Sequence, residues 1–388
     1  MEGDFIKINE WLLPLSWLYG LAVKMRNTLF DVGILKSRSF KVPVISVGNI
    51  TVGGTGKTPH VEYLVELLQE SCRVAVLSRG YKRSTRGYVQ AGEQTTISDI
   101  GDEPFQMFRK FPRLTVAVDK DRCHGIEQLT EQDRSLDVVL LDDAFQHRYV
   151  KPGINILLVD YHRLIIYDKL LPAGRLREPL KGKDRADIVI VTKCPPSLKP
   201  MEFRVITKAM DLYPYQTLYF TTLHYDELQG FADATVRKPL DSLNGQHVLL
   251  LTGIASPRQM TLDLQPHARQ IHLLSFSDHH QFTPKDIRRI NDEFAALPSP
   301  KLIVTTEKDA TRLHAVEGLS QEVLSQLYVL PLQIRFMQDQ TSKFNENIIG
   351  YVRKNSRNSI LAQGKDDHKP TDSNHSGDRP RTISFRNY

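Results

Sequence analysis

A doubly wound parallel α/β sheet with a second, smaller α/β domain is predicted by three observations. A Gly-rich loop ending Gly-Lys-Thr lies between an apolar run and an amphipathic stretch. Further short apolar runs recur with helical patterns between them, and a Pro-rich break is followed by a shorter series of the same kind.

At 388 residues the chain has room for two domains, each with its own core. Hydrophobic residues make up 40% and charged residues 25%, an ordinary globular composition that excludes fibrous and wholly disordered classes. Cys72, Cys123 and Cys194 show no C-x-x-C spacing, so neither a disulfide framework nor a zinc site is suggested, and a reducing compartment fits. The net charge of +6 suits an anionic partner: nucleic acid, an acidic membrane surface or a phosphorylated substrate. Nucleic acid is disfavoured, because the aromatics are not interleaved with basic residues as a stacking platform requires.

Residues 1–40 read as a membrane-associating amphipathic helix. The apolar run Trp11 to Val23 is followed by Lys24, Arg26, Lys36, Arg38 and Lys41, and it falls short of the ~20 apolar residues a spanning helix needs. Ser16, Gly20, Lys24 and Asn27 form a narrow polar stripe, leaving a broad face with Trp11, Leu15, Leu18 and Ala22. Such a helix either lies in the membrane interface, with its basic residues at lipid head groups, or packs on its own domain. Glu2, Asp4 and Glu10 argue against a signal peptide, as does the lack of a small-residue cleavage site after Val23.

Residues 41–220 read as a nucleotide-binding domain. Strands are predicted at Val42 to Val47, Val74 to Leu77, Val116 to Val118, Val138 to Leu141, Ile154 to Val159 and Ile188 to Val191. After the first strand come Thr51, Val52, Gly53, Gly54, Thr55, Gly56, Lys57 and Thr58, then a helix with Val61, Leu64, Val65 and Leu68 on one face. This strand-loop-helix context is that of a phosphate-binding loop: backbone amides curl around phosphate, Lys57 reaches the β/γ-phosphates and the Thr58 hydroxyl binds Mg²⁺. The common pattern has Gly at position 51, where this chain has Thr.

Asp142 and Asp143 end an apolar strand, the position from which an acid reaches Mg²⁺ beside a phosphate loop, or from which it caps the next helix. Side chains alternate along a strand, so the two should not share one task. Asp102, in Gly101-Asp-Glu-Pro104, either favours a helix N-terminus or accepts a proton from an acceptor hydroxyl. Arg175, Arg177 and Glu178 share a loop that suits phosphate and Mg²⁺ binding, or plain solvent exposure.

Cys194 to Pro200 breaks the pattern. Leu218 to Leu223, Val248 to Leu251, Leu302 to Thr305 and Leu327 to Leu332 then suggest a smaller α/β domain over residues 221–354 that closes the active site. It carries Asp278-His279, an Asp-His pair suited to proton transfer or an ordinary loop sequence. Residues 355–388 read as a disordered polar tail.

Taken in order, Gly48 to Pro59, Leu77 to Lys82, Gly101 to Pro104, Asp142 to His147, Leu171 to Glu178, Asp278 to His280 and Thr305 to Asp309 closely resemble the tetraacyldisaccharide 4'-kinase family of lipid A biosynthesis. The resemblance implies a P-loop kinase-like fold, peripheral on the cytoplasmic face of the inner membrane of a Gram-negative-type cell. It implies transfer of the ATP γ-phosphate, with Mg²⁺, to the 4'-hydroxyl of a tetraacylated glucosamine disaccharide 1-phosphate, giving lipid IVA. By the same resemblance Asp102 and His279 form the catalytic dyad, with Asp278 beside it. Lys57 and Thr58 serve phosphate and Mg²⁺, Asp142, Asp143 and Glu178 surround the metal, and Arg177 lies near the phosphates. Arg79, Arg122, Gln146 and Arg175 are assigned to substrate contacts.

Two rival classes are a P-loop GTPase or metallochaperone and a non-catalytic ATP-binding membrane scaffold. Guanine recognition wants an Asn-Lys-x-Asp element, and Val191-Thr-Lys-Cys-Pro195 lacks that Asp. A scaffold has no need for Asp102, Glu178 and Asp278-His279 together.

Overall fold

The computed structural model describes residues 8–254, 257–278 and 280–356. The first α-helix of the described residues is α1 (Leu13–Asp31). A nine-stranded sheet takes β1 (Val44–Gly48), β2 (Val74–Ser78), β3 (Val89–Gln90), β4 (Thr115–Val118), β5 (Val138–Asp142), β6 (Ile154–Asp160), β7 (Ile188–Thr192) and β8 (Thr217–Tyr225). Between these strands run α2 (Lys57–Gln69), α3 (Ile97–Ile100), α4 (Asp102–Lys110), α5 (Arg122–Gln132) and α6 (Pro200–Met210).

A six-stranded sheet follows, with β9 (Leu228–Gly230), β10 (Arg237–Lys238), β11 (His247–Thr252), β12 (Gln270–Ser275), β13 (Lys301–Thr306) and β14 (Leu327–Leu330). Its helices are α7 (Arg258–Leu264), α8 (Pro284–Ala296), α9 (Glu307–Leu313) and α10 (Gln321–Gln326). The chain then returns to the first sheet as β15 (Leu332–Phe336), and the last helix of the described residues is α11 (Thr341–Asn355).

The first sheet runs β15-β8-β7-β6-β1-β5-β2-β4-β3, parallel except for its two edge strands. β1 lies between β5 and β6, so successive crossovers leave it in opposite directions and open a crevice at its carboxyl end. The register places Val47 beside Asp142, bringing the acid to the base of the loop that follows β1. Val61, Leu64, Val65 and Leu68 of α2 are buried against this sheet, as their helical spacing requires.

The unit boundary differs from the sequence expectation. The run Leu218 to Leu223 does not open the second unit; as β8 it pairs parallel with β7 in the first sheet. The run Leu327 to Leu332 divides, β14 staying in the second sheet while β15 pairs with β8. α11 packs on the first sheet, with the Phe344 ring stacked on Phe336 at 4.3 Å. Both strands are short apolar runs, and local pattern does not say which sheet edge a strand joins. Asn355, expected to open the tail, instead closes α11, and residues 357–388 lie outside the described region.

α1 resolves its two placements in an unexpected way. Ser16, Gly20 and Asn27 of its polar stripe, with Phe30, pack on the chain, while Lys24 is exposed. Ser16 Oγ donates to the Leu170 carbonyl and accepts from the Ala173 amide, both at 3.0 Å. A Cβ at Gly20 would lie 2.6 Å from Leu170 Cδ1, so this residue lets the helix approach closely. The opposite face turns outward, with Trp11 94%, Trp17 77%, Leu18 67% and Leu21 66% exposed. Among the described residues no helix is long and apolar enough to cross a membrane.

Candidate active site

The phosphate loop leaves β1 through buried Asn49 and Ile50, and the Asn49 side-chain amide donates to Thr55 Oγ1 at 2.8 Å. Thr51 forms an isolated antiparallel bridge with Leu176, flanked by hydrogen bonds from Val52 N to Arg175 O and from Arg177 N to Ile50 O, each 2.8 Å. This pairing explains why position 51 needs no glycine. The left-handed positions fall instead on Gly53 (φ 121°) and Gly56 (φ 81°), which turn the loop into α2. Lys57 and Thr58 occupy the first turn of α2, where free backbone N–H groups favour an anion.

Sequence reasoning missed two supports of the loop. The Lys193 ammonium donates to the Gly54 carbonyl and to Asp160 Oδ2, the latter at 2.8 Å. His60 Nδ1 donates to the Gly56 carbonyl at 2.7 Å, which leaves Nε2, 3.0 Å from Thr221 Oγ1, as the acceptor. Burial drives the His60 imidazole down to about 4, so it is neutral at physiological pH.

Asp142 and Asp143 have different surroundings, as strand alternation predicts. Asp142 is buried and accepts from Ser78 Oγ at 3.2 Å through Oδ2, while its Oδ1 is buried without a hydrogen-bond partner. Burial first, then Glu103 and Asp143, push its carboxyl up to about 7 against the pull of Lys57 and Arg122. An acid held in this state suits a group that a cation would ionise. Asp143 sits at φ 47°, with its carboxylate oxygens 3.5 Å from Lys57 Nζ and 3.5 Å from Arg177 Nη1. Burial opposes its charge, but the two cations outweigh burial and hold the carboxyl below its ordinary value.

Other candidates are placed elsewhere in the network. Glu178 is buried and tied to Arg185 at 2.8 Å, with Gln146 Nε2 at 3.2 Å and Asn27 Nδ2 at 3.4 Å. Asp142, Asp143 and Glu178 do not bring three ligand atoms to one point; among the described residues the one group that does is Asp121, Cys123 and His147, a carboxylate, a thiol and an imidazole. Arg122 is buried beside those three. It donates to the carbonyls of Asp119 and Asp142, bracing the turn after β5. Gln146 also donates to the Asn49 carbonyl, joining the β5 turn to the phosphate loop. Arg79 and Arg175 are exposed.

Asp102 is the first residue of α4 and is buried. It enters the helix from Gly101 (φ 89°), where a Cβ would lie 2.8 Å from the Tyr81 carbonyl. Its Oδ2 accepts from both Nε, at 3.1 Å, and Nη2 of Arg312 in α9. The adjacent Glu103 pairs with Lys308 at 2.6 Å, and Lys308 also feels Asp102 and the exposed Asp278. His279 lies outside the described residues. Glu103, Lys308 and Arg312 lie in or just beyond motifs noted in the sequence, but pairing across some two hundred positions has no local signal.

A doubly wound sheet with a phosphate loop at its central crevice and a paired acid on the neighbouring strand defines a P-loop nucleotide-binding protein. Within that class the chain belongs to the tetraacyldisaccharide-1-P 4'-kinase family, LpxK, whose model matches residues 8–352. It is 58% identical over 363 residues to the tetraacyldisaccharide 4'-kinase of Phocaeicola vulgatus, covering 92% of this chain and 99% of the relative. It is 55% identical over 379 residues to that of Bacteroides thetaiotaomicron, covering 95% and 100%. LpxK from Aquifex aeolicus, solved in complex with ATP, superposes with a TM-score of 0.67 at 30% identity, covering 88% of this chain and 98% of that one.

Proposed function

We propose that this chain transfers the γ-phosphate of ATP to the 4'-hydroxyl of a tetraacylated glucosamine disaccharide 1-phosphate, forming lipid IVA at the cytoplasmic face of the inner membrane. One residue carries the reading. Arg177 accepts a hydrogen bond from the Tyr19 hydroxyl of α1 at 2.7 Å through its carbonyl, while its guanidinium lies 3.5 Å from Asp143. The helix whose outer face is apolar is thus tied to the same loop that borders the phosphate site, which supports bilayer contact next to phosphoryl transfer.

The remaining roles rest on position for the described residues and on the family resemblance for His279. The amides from Val52 to Thr58 cradle phosphate, and Lys57 meets the β/γ-phosphates. Thr58 and Asp142 fit Mg²⁺, a hard cation that takes oxygen donors, and the orphaned Asp142 Oδ1 is such a donor. When bound, the ion neutralises charge on the phosphates. Asp143 orients Lys57 and Arg177, and Glu178 with Gln146 stiffens the wall behind them. Asp102 accepts the proton of the 4'-hydroxyl, assisted by His279 and Asp278, and Arg79, Arg122 and Arg175 supply positive potential for the anionic lipid and nucleotide.

Radiolabelled ATP incubated with the lipid precursor in mixed micelles, followed by chromatography of the lipid, tests substrate and reaction at once. Label in the bisphosphorylated glycolipid is expected. A glycolipid that stays unlabelled, with the protein folded, rules the proposal out.

A further inference from the structure

We propose that Arg312 is a positioning residue for Asp102, through which the second unit aligns the proton acceptor of the first. α4 and α9 run antiparallel at the junction with complementary charge. Along α4 the order is Asp102, Glu103, Lys110; along α9, read backwards, it is Arg312, Lys308, Glu307. The rungs are Arg312 on Asp102, Lys308 on Glu103 at 2.6 Å and Lys110 on Glu307 at 2.8 Å. Lys110 also reaches Glu62 of α2 at 2.7 Å, so the latch extends to the helix that begins at the phosphate loop.

Arg312 is the rung with catalytic consequence. Its side chain is fully buried, and its third nitrogen, Nη1, lies 3.0 Å from Asp309 Oδ1. Asp309 is held in turn: its Oδ2 accepts from the Gly253 amide at 2.9 Å and from Thr306 Oγ1 at 2.7 Å. The guanidinium plane is therefore fixed by the carboxyl end of β11 and the start of α9. Two N–H groups of that rigid fork converge on one oxygen of Asp102 and set its orientation. Lysine would supply a point charge without the fork. Stability alone gives little reason to bury an Arg between two acids, since apolar packing commonly matches or exceeds such a pair. Orientation of a reacting carboxylate does give a reason.

The inference rests on Asp102 being the proton acceptor, and kinetics separate the two. Arg312→Gln is expected to lower kcat by about 10²-fold, the cost of misplacing a reacting group by about 1 Å, with the KM for ATP nearly unchanged. Arg312→Lys should recover part of that loss. If Arg312 acts through Asp102, the double variant Asp102→Asn with Arg312→Gln is no slower than Asp102→Asn alone. Losses that multiply in the double variant, or a wild-type kcat in Arg312→Gln, overturn the inference. Should Arg312→Gln not fold, Arg312→Lys in the same cycle carries the test, with a reduced kcat expected alone and no added loss beside Asp102→Asn. A wild-type rate in Asp102→Asn removes the acceptor and the inference together; a slow Asp102→Asn beside a wild-type Arg312→Gln removes the inference alone.

Discussion

Lys57 Nζ lies 3.5 Å from Asp143 Oδ1, joining the loop that follows β1 to the strand end of β5. The ammonium is thereby aimed across the crevice rather than left to sample solvent. Lys57→Ala is expected to lower kcat by about 10²-fold or more, the scale for losing one preorganised charge at a transferring group. Steady-state phosphorylation of the glycolipid checks it.

Asp102→Ala should lower kcat by about 10²–10⁴-fold, as for loss of a general base, while ATP binding survives. Parallel measurement of lipid phosphorylation and equilibrium nucleotide binding separates the two. Equal loss of both would assign Asp102 to the architecture of α4.

The exposed face of α1 predicts a membrane effect separable from chemistry. Trp17→Glu with Leu21→Glu removes apolar side chains worth about 1.5–3 kcal/mol each on burial, so vesicle partitioning should fall at least about tenfold. Activity on substrate dispersed in detergent should persist. Unchanged vesicle flotation would leave the face without that role.

His60 makes stability depend on pH. Its folded value of about 4 lies below the ordinary 6.5, so the unfolded chain binds the extra proton between these values. The contribution is present above about pH 6.5 and is lost as pH falls towards 4, by up to ~3 kcal/mol. Chemical unfolding across that range should show His60→Gln with a shallower acid slope than the natural chain. His147, driven down to about 4 by burial, acts in the same direction and keeps the variant's slope from vanishing.

Phe344 tests the return of the chain to the first sheet. It is buried and stacked on Phe336, so Phe344→Ala should cost about 3–5 kcal/mol. Loss of nucleotide binding at lower urea is the readout. An unshifted midpoint would mean that α11 does not support the nucleotide-binding unit.

Much of the site was readable because its parts are local. The phosphate loop, the acids at the end of β5 and the helix at Asp102 each combine residue type with strand or helix spacing inside a short window, and such windows carry their own geometry. Thr51 shows where local pattern stops: the physical basis of its departure from the glycine pattern is its pairing with Leu176, which lies far along the chain. Lys193 and His60 carry no local signal because their partners, the Gly54 carbonyl and the Thr221 hydroxyl, are distant in sequence and meet them only in the folded chain.

The sequence by itself determined the strand and helix periods, the phosphate loop, the amphipathic first helix and the family. Tertiary structure alone decided which face of α1 turns outward, that β8 and β15 complete the first sheet, and that Arg312 meets Asp102. The reason is physical. Periodicity and turn chemistry act over a few residues, whereas sheet-edge choice and buried ion pairing depend on surfaces that exist only after distant segments have packed.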